Sequence, residues 1–372
     1  MQERKINPLV FSDDFFLAED REGFHVTGLM KRVWATQLHV LAEIDRICNK
    51  YNLTWFADWG TLLGAVRHKG FIPWDDDIDI CMPRQDYDIF HSVLKDELGG
   101  EYNWLDPFSN EDVFRHFFLR VVNTRYINFD EGSLERFYGV PYSCGVDIFP
   151  IDGVPDDDEE WELLKSIVNN ILYAGKIIED QPENDIEEFI TEIEKLCGVT
   201  LDRKKNIKTQ LTVLADALCR SYNFGETKRA VCVSEYALGE GKTLCNTSWF
   251  KQSIRVPYEN WNISIPKEYN EVLTALFGAD YMVPVRGTQS HEYPFYKKQK
   301  KLAKEKIGIA GWEDREKRVA KWLNLDETEI FEYKLLKKNE TMDAYYFFCQ
   351  SEMKAIWIPH DENKEPILAE IV

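Results

Sequence analysis

A chain of 372 residues with 44% apolar content can bury a full core, which excludes a disordered or fibrous protein. With 45 Lys and Arg against 65 Asp and Glu the formal charge is −20, so nucleic-acid backbones and anionic membrane surfaces are repelled and neither is an expected partner. No apolar run is long enough for an integral membrane segment, Met1–Lys5 leads into no signal-peptide core, and a cytoplasmic location is the expectation.

Apolar positions at Val33, Leu38, Leu41, Ile44 and Cys48 recur every three to four residues, which predicts an amphipathic helix over 29–51 closed by Asn49 and Asn52. Trp55-Phe56-Ala57 reads as a short strand, and Gly60-Thr61 as the start of a second helix through Leu62, Leu63 and Val66, broken by Gly70 and Pro73. Residues 77–82 alternate between polar or small and apolar, the period of a strand with one buried face, and 86–98 is helical again. Phe117–Val122 and Gly145–Phe149 are further strand candidates, so the first 155 residues read as α/β or α+β. From 156 to 222 the period becomes helical throughout, through Trp161, Leu164, Ile167 and Ile171, then Ile186, Phe189 and Ile193, then Ile207, Leu211, Leu214 and Leu218. A stretch rich in aromatics and prolines follows and reads as loop, with one helix from Glu268 to Phe277 ended by Gly278. The lysines at 297, 298, 300, 301, 304 and 306 read as a solvated helix face, with a basic arm as the alternative. Two alternating runs, Phe331–Leu336 and Tyr345–Ile358, predict a small terminal sheet. The eight cysteines contain no C-x-x-C pair and mostly sit in apolar segments, as reduced buried thiols do.

Chemistry concentrates at Asp75-Asp76-Asp77-Ile78-Asp79, four carboxylates in five positions that repel one another unless a cation or basic side chains sit among them. A solvated acidic loop fits poorly beside an apolar-alternating strand, and a calcium loop fails because Ile80 stands where that loop needs glycine. A D-D-x-x-D helix formed by Asp75, Asp76 and Asp79 conflicts with the alternation of Ile78, Ile80 and Met82. The reading that fits best puts Asp77 and Asp79 on one face of a strand, holding Mg²⁺ (or Mn²⁺) beside a nucleotide phosphate, with Asp147 supplied by a neighbouring strand. Gly60 and Thr61 at a helix start offer free backbone N–H groups for phosphate, and Arg67-His68-Lys69 follow as cations.

Three segments, Gly60–Arg67, Gly70–Asp79 and Gly145–Asp152, resemble the LicD family, with weaker similarity in the N-terminal helix and at 269–284; the likeness covers roughly residues 15–295. The resemblance implies a nucleotidyltransferase-like α/β (α+β) fold, a small mixed sheet with flanking helices and a helical second half. On this basis 1–155 is the catalytic core and 156–296 the helical and loop-rich remainder; beyond the likeness, charge and alternation alone give 297–327 as a basic helical connector and 328–372 as a β-rich extension of unassigned role. It also implies transfer of phosphocholine, or a related phospho-alditol group, from a CDP-activated donor such as CDP-choline to a cell-surface glycan acceptor, with release of CMP. Asp77, Asp79 and Asp147 are then metal ligands, Asp147 is also the candidate base, and Asp75 is a further ligand or a support behind them.

For a choline head group the expected device is an aromatic cage, with Trp55, Trp59, Trp74 and Tyr142 as the candidates nearest in sequence. Arg67, Arg120 and His291 are candidate phosphate or acceptor contacts, and each arginine equally suits a structural ion pair. Two other function classes remain open at this point: nucleotidyl transfer from a triphosphate with release of pyrophosphate, and a non-catalytic nucleotide- or sugar-binding protein.

Overall fold

The structure is a computed structural model that describes residues 9–100, 102–106, 108, 117–125, 127–128, 131–180, 186–232, 244–286 and 293–299, together with the strands at 344–348, 355–359 and 367–369. After a short hairpin of β1 (Glu19–Arg21) and β2 (Phe24–Val26), the helix α1 (Gly28–Tyr51) runs the predicted span. Thr27 accepts from the Met30 amide to cap its start, and Asn52 in the left-handed region ends it. Val33, Trp34, Leu38, Leu41 and Ile44 are fully buried, so α1 is a core helix whose inward face carries site-supporting residues as well as packing.

The main sheet has the order β3-β4-β7-β6-β5, formed by β3 (Phe56–Ala57), β4 (Asp79–Pro83), β5 (Asn103–Leu105), β6 (Leu119–Val122) and β7 (Gly145–Val154). Among the described residues β4 and β7 run parallel, and the other neighbours in this sheet are antiparallel. The helices α2 (Trp59–Arg67), α3 (Arg84–Glu97) and α4 (Glu131–Arg136) fall between these strands. β7 is twice the predicted length, and its far half pairs with β8 (Arg229–Cys232), which in turn pairs with β9 (Cys245–Asn246). The helical segment between them comprises α5 (Asp158–Asp180), α6 (Glu187–Cys197) and α7 (Ile207–Cys219), as the helical period predicts.

Three expectations need correction. The strand expected over 77–82 begins at Asp79, so Asp77 lies just before it in the loop. Ile80, Cys81 and Met82 are all buried, because β4 sits between two strands and is covered on both faces, where one buried face was expected. The stretch read as loop contains a six-residue-per-strand hairpin of β10 (Ser253–Tyr258) and β11 (Trp261–Pro266), which lies against β3 and α2. The helix α8 (Tyr269–Phe277) then follows as predicted, with Gly278 at its end. The terminal strands 344–348, 355–359 and 367–369 form a separate antiparallel sheet, whereas the run at 331–336, the lysines from 300 onward, Cys349 and His291 lie outside the described residues.

Candidate active site

The aspartate segment is fixed from both sides by main-chain contacts. The Asp79 amide donates to Thr61 Oγ1 at 2.9 Å, and the Asp79 carbonyl accepts from the Asp58 amide at 3.0 Å. Thr61 is therefore an anchor between α2 and β4, buried and engaged, while the cap of α2 is Asp58, whose carboxylate accepts from the Trp59 amide at 2.9 Å. The helix thus starts one residue before the expected Gly60-Thr61, capped by Asp58, and an aspartate before a helix is itself a start signal. The buried Asp58 carboxyl is pushed up by desolvation, and Cys232 Sγ donates to it at 3.1 Å. Trp59 opens α2 at φ 42°, a left-handed conformation that costs about 1–3 kcal/mol in an ordinary L residue and is held here by its neighbours.

Across the sheet, Asp79 stands in register with Asp147 on β7, and the Asp147 amide donates to the Ile78 carbonyl at 3.0 Å. The parallel β4–β7 pairing thus brings together the two carboxylates that the sequence placed on separate strands. On the other side of β7, Arg120 of β6 is in register with Asp147 and forms a two-pronged ion pair with it, Nη2 to Oδ2 at 2.6 Å and Nε to Oδ1. In this state Arg120 is a carboxylate partner.

The loop before β4 is shaped by α1. Trp34 stacks on Phe71 with ring centroids 4.6 Å apart, and its Nε1 donates to the Asp75 carbonyl at 3.1 Å. Gln37 Nε2 donates to the Asp76 carbonyl at 2.8 Å. Glu259, in the turn of the β10–β11 hairpin, accepts from the Phe71 amide at 3.1 Å and is itself held by Arg21 at 2.6 and 2.9 Å. No local sequence signal marks Trp34, Gln37, Arg21 or Glu259, because their partners are far away along the chain. A Cβ added at Gly60 would press on the Asp75 carboxylate, so that glycine is what lets the aspartate loop lie against the first turn of α2.

One oxygen each from Asp75, Asp76 and Asp77 lies within 4.8 Å of the others, close enough to share a cation. Asp76 is fully buried, and its carboxylate also accepts from the Phe295 amide at 2.6 Å. Burial first, then repulsion by Asp77 and Asp76, pushes the Asp75 carboxyl well above the usual range. Asp79 is likewise pushed up by burial and then by Asp77, Asp147 and Asp75. Among the described residues the tight cluster is thus Asp75, Asp76 and Asp77, where Asp75, Asp77, Asp79 and Asp147 were expected, and Asp79 links that cluster to Asp147 on the next strand. Their all-oxygen chemistry fits a hard divalent cation, which would remove the repulsion.

The remaining expected contacts are spread more widely. Arg67 Nη1 donates to the carbonyls of Tyr281 at 2.9 Å and Val283 at 3.4 Å, tying α2 to the loop after α8. Lys69 is exposed, at a left-handed φ of 57°. Of the four aromatic candidates, Trp55 is buried with its Nε1 bonded to Asp45, Tyr142 is buried and stacked on Tyr296, and Trp59 borders a narrow cavity with Asp58, Cys81 and Cys232. Trp74 alone of these joins an open aromatic group beside the aspartates, with Phe24 and His68 against its ring.

Residues 52–155 match the family model described as LicD/FKTN/FKRP, nucleotidyltransferase domain. Over these residues the chain is similar to the LicD family. Over 250 residues it is 27% identical to the lipopolysaccharide cholinephosphotransferase LicD of Haemophilus influenzae, an overlap of 66% of this chain and 88% of that protein. Shorter stretches match two uncharacterized proteins, of Rickettsia typhi (40% over 55 residues, 15% of this chain and 18% of that one) and Rickettsia prowazekii (43% over 47 residues, 13% and 18%). Every carboxylate of the cluster, together with Asp58, Thr61 and Arg120, lies inside the segment that matches the family model, whereas the supports Arg21, Trp34, Gln37 and Glu259 lie outside it. Among the described residues no helix is long and apolar enough to cross a membrane.

Proposed function

We propose that this chain is a divalent-metal-dependent phosphotransferase that moves phosphocholine, or a related phospho-alditol group, from a CDP-activated donor to a hydroxyl of a cell-surface glycan precursor, releasing CMP. The observation that carries this reading is the cluster of Asp75, Asp76 and Asp77 oxygens in the loop before β4, continued by Asp79 in register with Asp147 across the parallel β4–β7 pair, with burial and repulsion by neighbouring carboxylates holding Asp75 and Asp79 above the usual range. The similarity to a protein named as a cholinephosphotransferase supports the choice of transferred group.

Mg²⁺, or Mn²⁺ in its place, would be held by Asp75, Asp77, Asp79 and Asp147 and would neutralise charge on the attacked phosphoryl group and the departing CMP. The chain's own residues set the geometry. Thr61 and Asp58 fix Asp79, Gly60 leaves room for Asp75, and Trp34 and Gln37 hold the loop between them. Asp147 takes the proton of the acceptor hydroxyl as that oxygen bonds to phosphorus and the donor's anhydride P–O bond breaks. Because Arg120 engages both Asp147 oxygens, that step requires Arg120 to swing toward the donor phosphate, where a guanidinium is equally well matched. Exposed Lys69, just after α2, is a further cation proposed for the donor phosphates.

The test is product analysis with purified protein, CDP-choline and a glycan acceptor. CMP is expected, EDTA should abolish it, and Asp77→Asn or Asp79→Asn should lower turnover at least about 10²-fold while circular dichroism is unchanged. Full activity in both variants refutes the assignment. The nucleotidyltransferase description of the matching model favours one rival, and pyrophosphate release from CTP in place of CMP from CDP-choline would establish it.

A further inference from the structure

Beside the aspartate loop three aromatic rings from three separate segments meet at the surface. Phe24 on β2 lies edge-on to Trp74 at 6.3 Å and to Tyr293 at 5.3 Å, and all three are partly exposed. The rings are tied to the metal-binding candidates through the chain. Trp74 immediately precedes Asp75, and Tyr293 lies two residues before Phe295, whose amide donates to the Asp76 carboxylate.

The faces of these rings already carry a cation. The Arg286 guanidinium carbon lies 5.1 Å from the Trp74 ring centre and 5.3 Å from that of Phe24. Among the described residues its polar contact is the Glu22 carbonyl, at 3.1 Å from Nη2. This distinguishes it from Arg84, which also lies over a ring but is neutralised by the carboxylates of Asp152 and Asp216. Arg286 is exposed, and it follows the exposed Val283 and Val285 in a loop anchored upstream through Arg67. A side chain so placed can leave the rings without unpacking the core.

We propose that Phe24 and Trp74, with Tyr293 bracing Phe24, form the subsite for the quaternary ammonium of the transferred group, and that Arg286 covers those ring faces until the donor displaces it. The naming of the ligand rests on the phosphotransferase reading above; the ring geometry and the seated guanidinium do not. A fully methylated ammonium has no N–H to satisfy, so it competes with Arg286 for the rings and leaves the Glu22 carbonyl alone. This also revises the cage expected from sequence, since Trp55, Trp59 and Tyr142 take no part in it.

The experiment is isothermal titration of the full chain with choline and with its uncharged analogue 3,3-dimethyl-1-butanol. Choline should bind, and the neutral analogue should bind at least about fivefold more weakly. Trp74→Leu and Phe24→Leu should each weaken choline about twofold to thirtyfold, while Trp74→Phe, which keeps an aromatic face, retains most of the binding and so excludes misfolding as the cause. The decisive variant is Arg286→Ala, which should tighten choline about twofold or more and lower the KM for CDP-choline in the same proportion. Unchanged or weaker binding in Arg286→Ala, or equal binding of the neutral analogue, overturns the proposal. CMP release without ring-dependent choline binding would sink this subsite and leave the transfer reaction standing; ring-dependent binding without CMP release would do the reverse.

Discussion

Gly64, in the middle of α2, tests how tightly the aspartate loop depends on that helix. A Cβ built there would sit 2.5 Å from the Gly70 carbonyl oxygen and 3.4 Å from the Ile72 amide nitrogen. Both are backbone atoms, so no side chain can swing aside, and Gly64→Ala must push the start of the loop outward by about 1 Å to restore ordinary contact. That displacement is passed to Asp75, whose amide is bonded to the Ile72 carbonyl at 2.9 Å. A shift of about 1 Å in reacting groups costs on the order of 10²-fold in rate. Stability should change far less, because a strain of about 1–3 kcal/mol is partly offset by the roughly 0.5–1 kcal/mol that alanine gains over glycine inside a helix. The assay is CMP release as a function of Mg²⁺ concentration, at a temperature well below unfolding. The expected result is a turnover about 10²-fold down and a raised Mg²⁺ half-saturation in a folded protein. Gly132→Ala is the control, since nothing lies within 4 Å of its added carbon. Wild-type turnover and metal dependence in Gly64→Ala would show that the loop is not positioned in the way described.

The raised carboxyls give a pH signature. Asp75 and Asp79 titrate in the folded state above their ordinary value of 3.8, so their contribution is fully present below that value and is lost as pH rises through the raised folded values. The metal-free protein should therefore show a thermal midpoint that drifts downward as pH rises above the ordinary value of 3.8 from this source, with a flatter slope in Asp79→Asn. Added Mg²⁺ should stabilise more at the upper pH and release protons on binding; a metal effect independent of pH would contradict the shared-site geometry. Arg84 pairs with the fully buried Asp152 at 2.6 and 2.7 Å, and Arg84→Ala should lower unfolding free energy in urea by about 3–5 kcal/mol, because a buried charge is left alone. Trp34→Phe keeps the stack on Phe71 but loses the bond to the Asp75 carbonyl, and should cost about 0.5–1.5 kcal/mol with a higher Mg²⁺ half-saturation. Unaltered stability and metal dependence would mean that this bond does not hold the loop.

Much of this architecture was legible where one segment carries its own period. The helix α1 follows from apolar spacing and its Asn52 stop, and β4 from the alternation of Ile80 and Met82, although the strand begins only at Asp79. The β10–β11 hairpin also alternates, in Ile254, Val256, Ile263 and Ile265, but Pro257 and Pro266 within the strands made the stretch read as loop. The three-residue strands β1 and β2 are too short to show any period. At the site, Asp79 and Asp147 could be nominated because each carboxylate interrupts an apolar run. The supports could not: Trp34 reaches across 41 residues to Asp75, and Arg21 across 238 to Glu259, and these pairings exist only once the fold has formed. The Arg120–Asp147 pair shows the same limit, since a cross-strand partner is chosen by sheet register.

The central claim is that these carboxylates hold a divalent cation for phosphoryl transfer, and Mn²⁺ reports on it most directly. Crystals soaked in millimolar MnCl₂ should give an anomalous peak among Asp75, Asp77, Asp79 and Asp147, and the peak should vanish in Asp79→Asn. Ordered carboxylates with no peak between them, or manganese bound only elsewhere, would contradict the account.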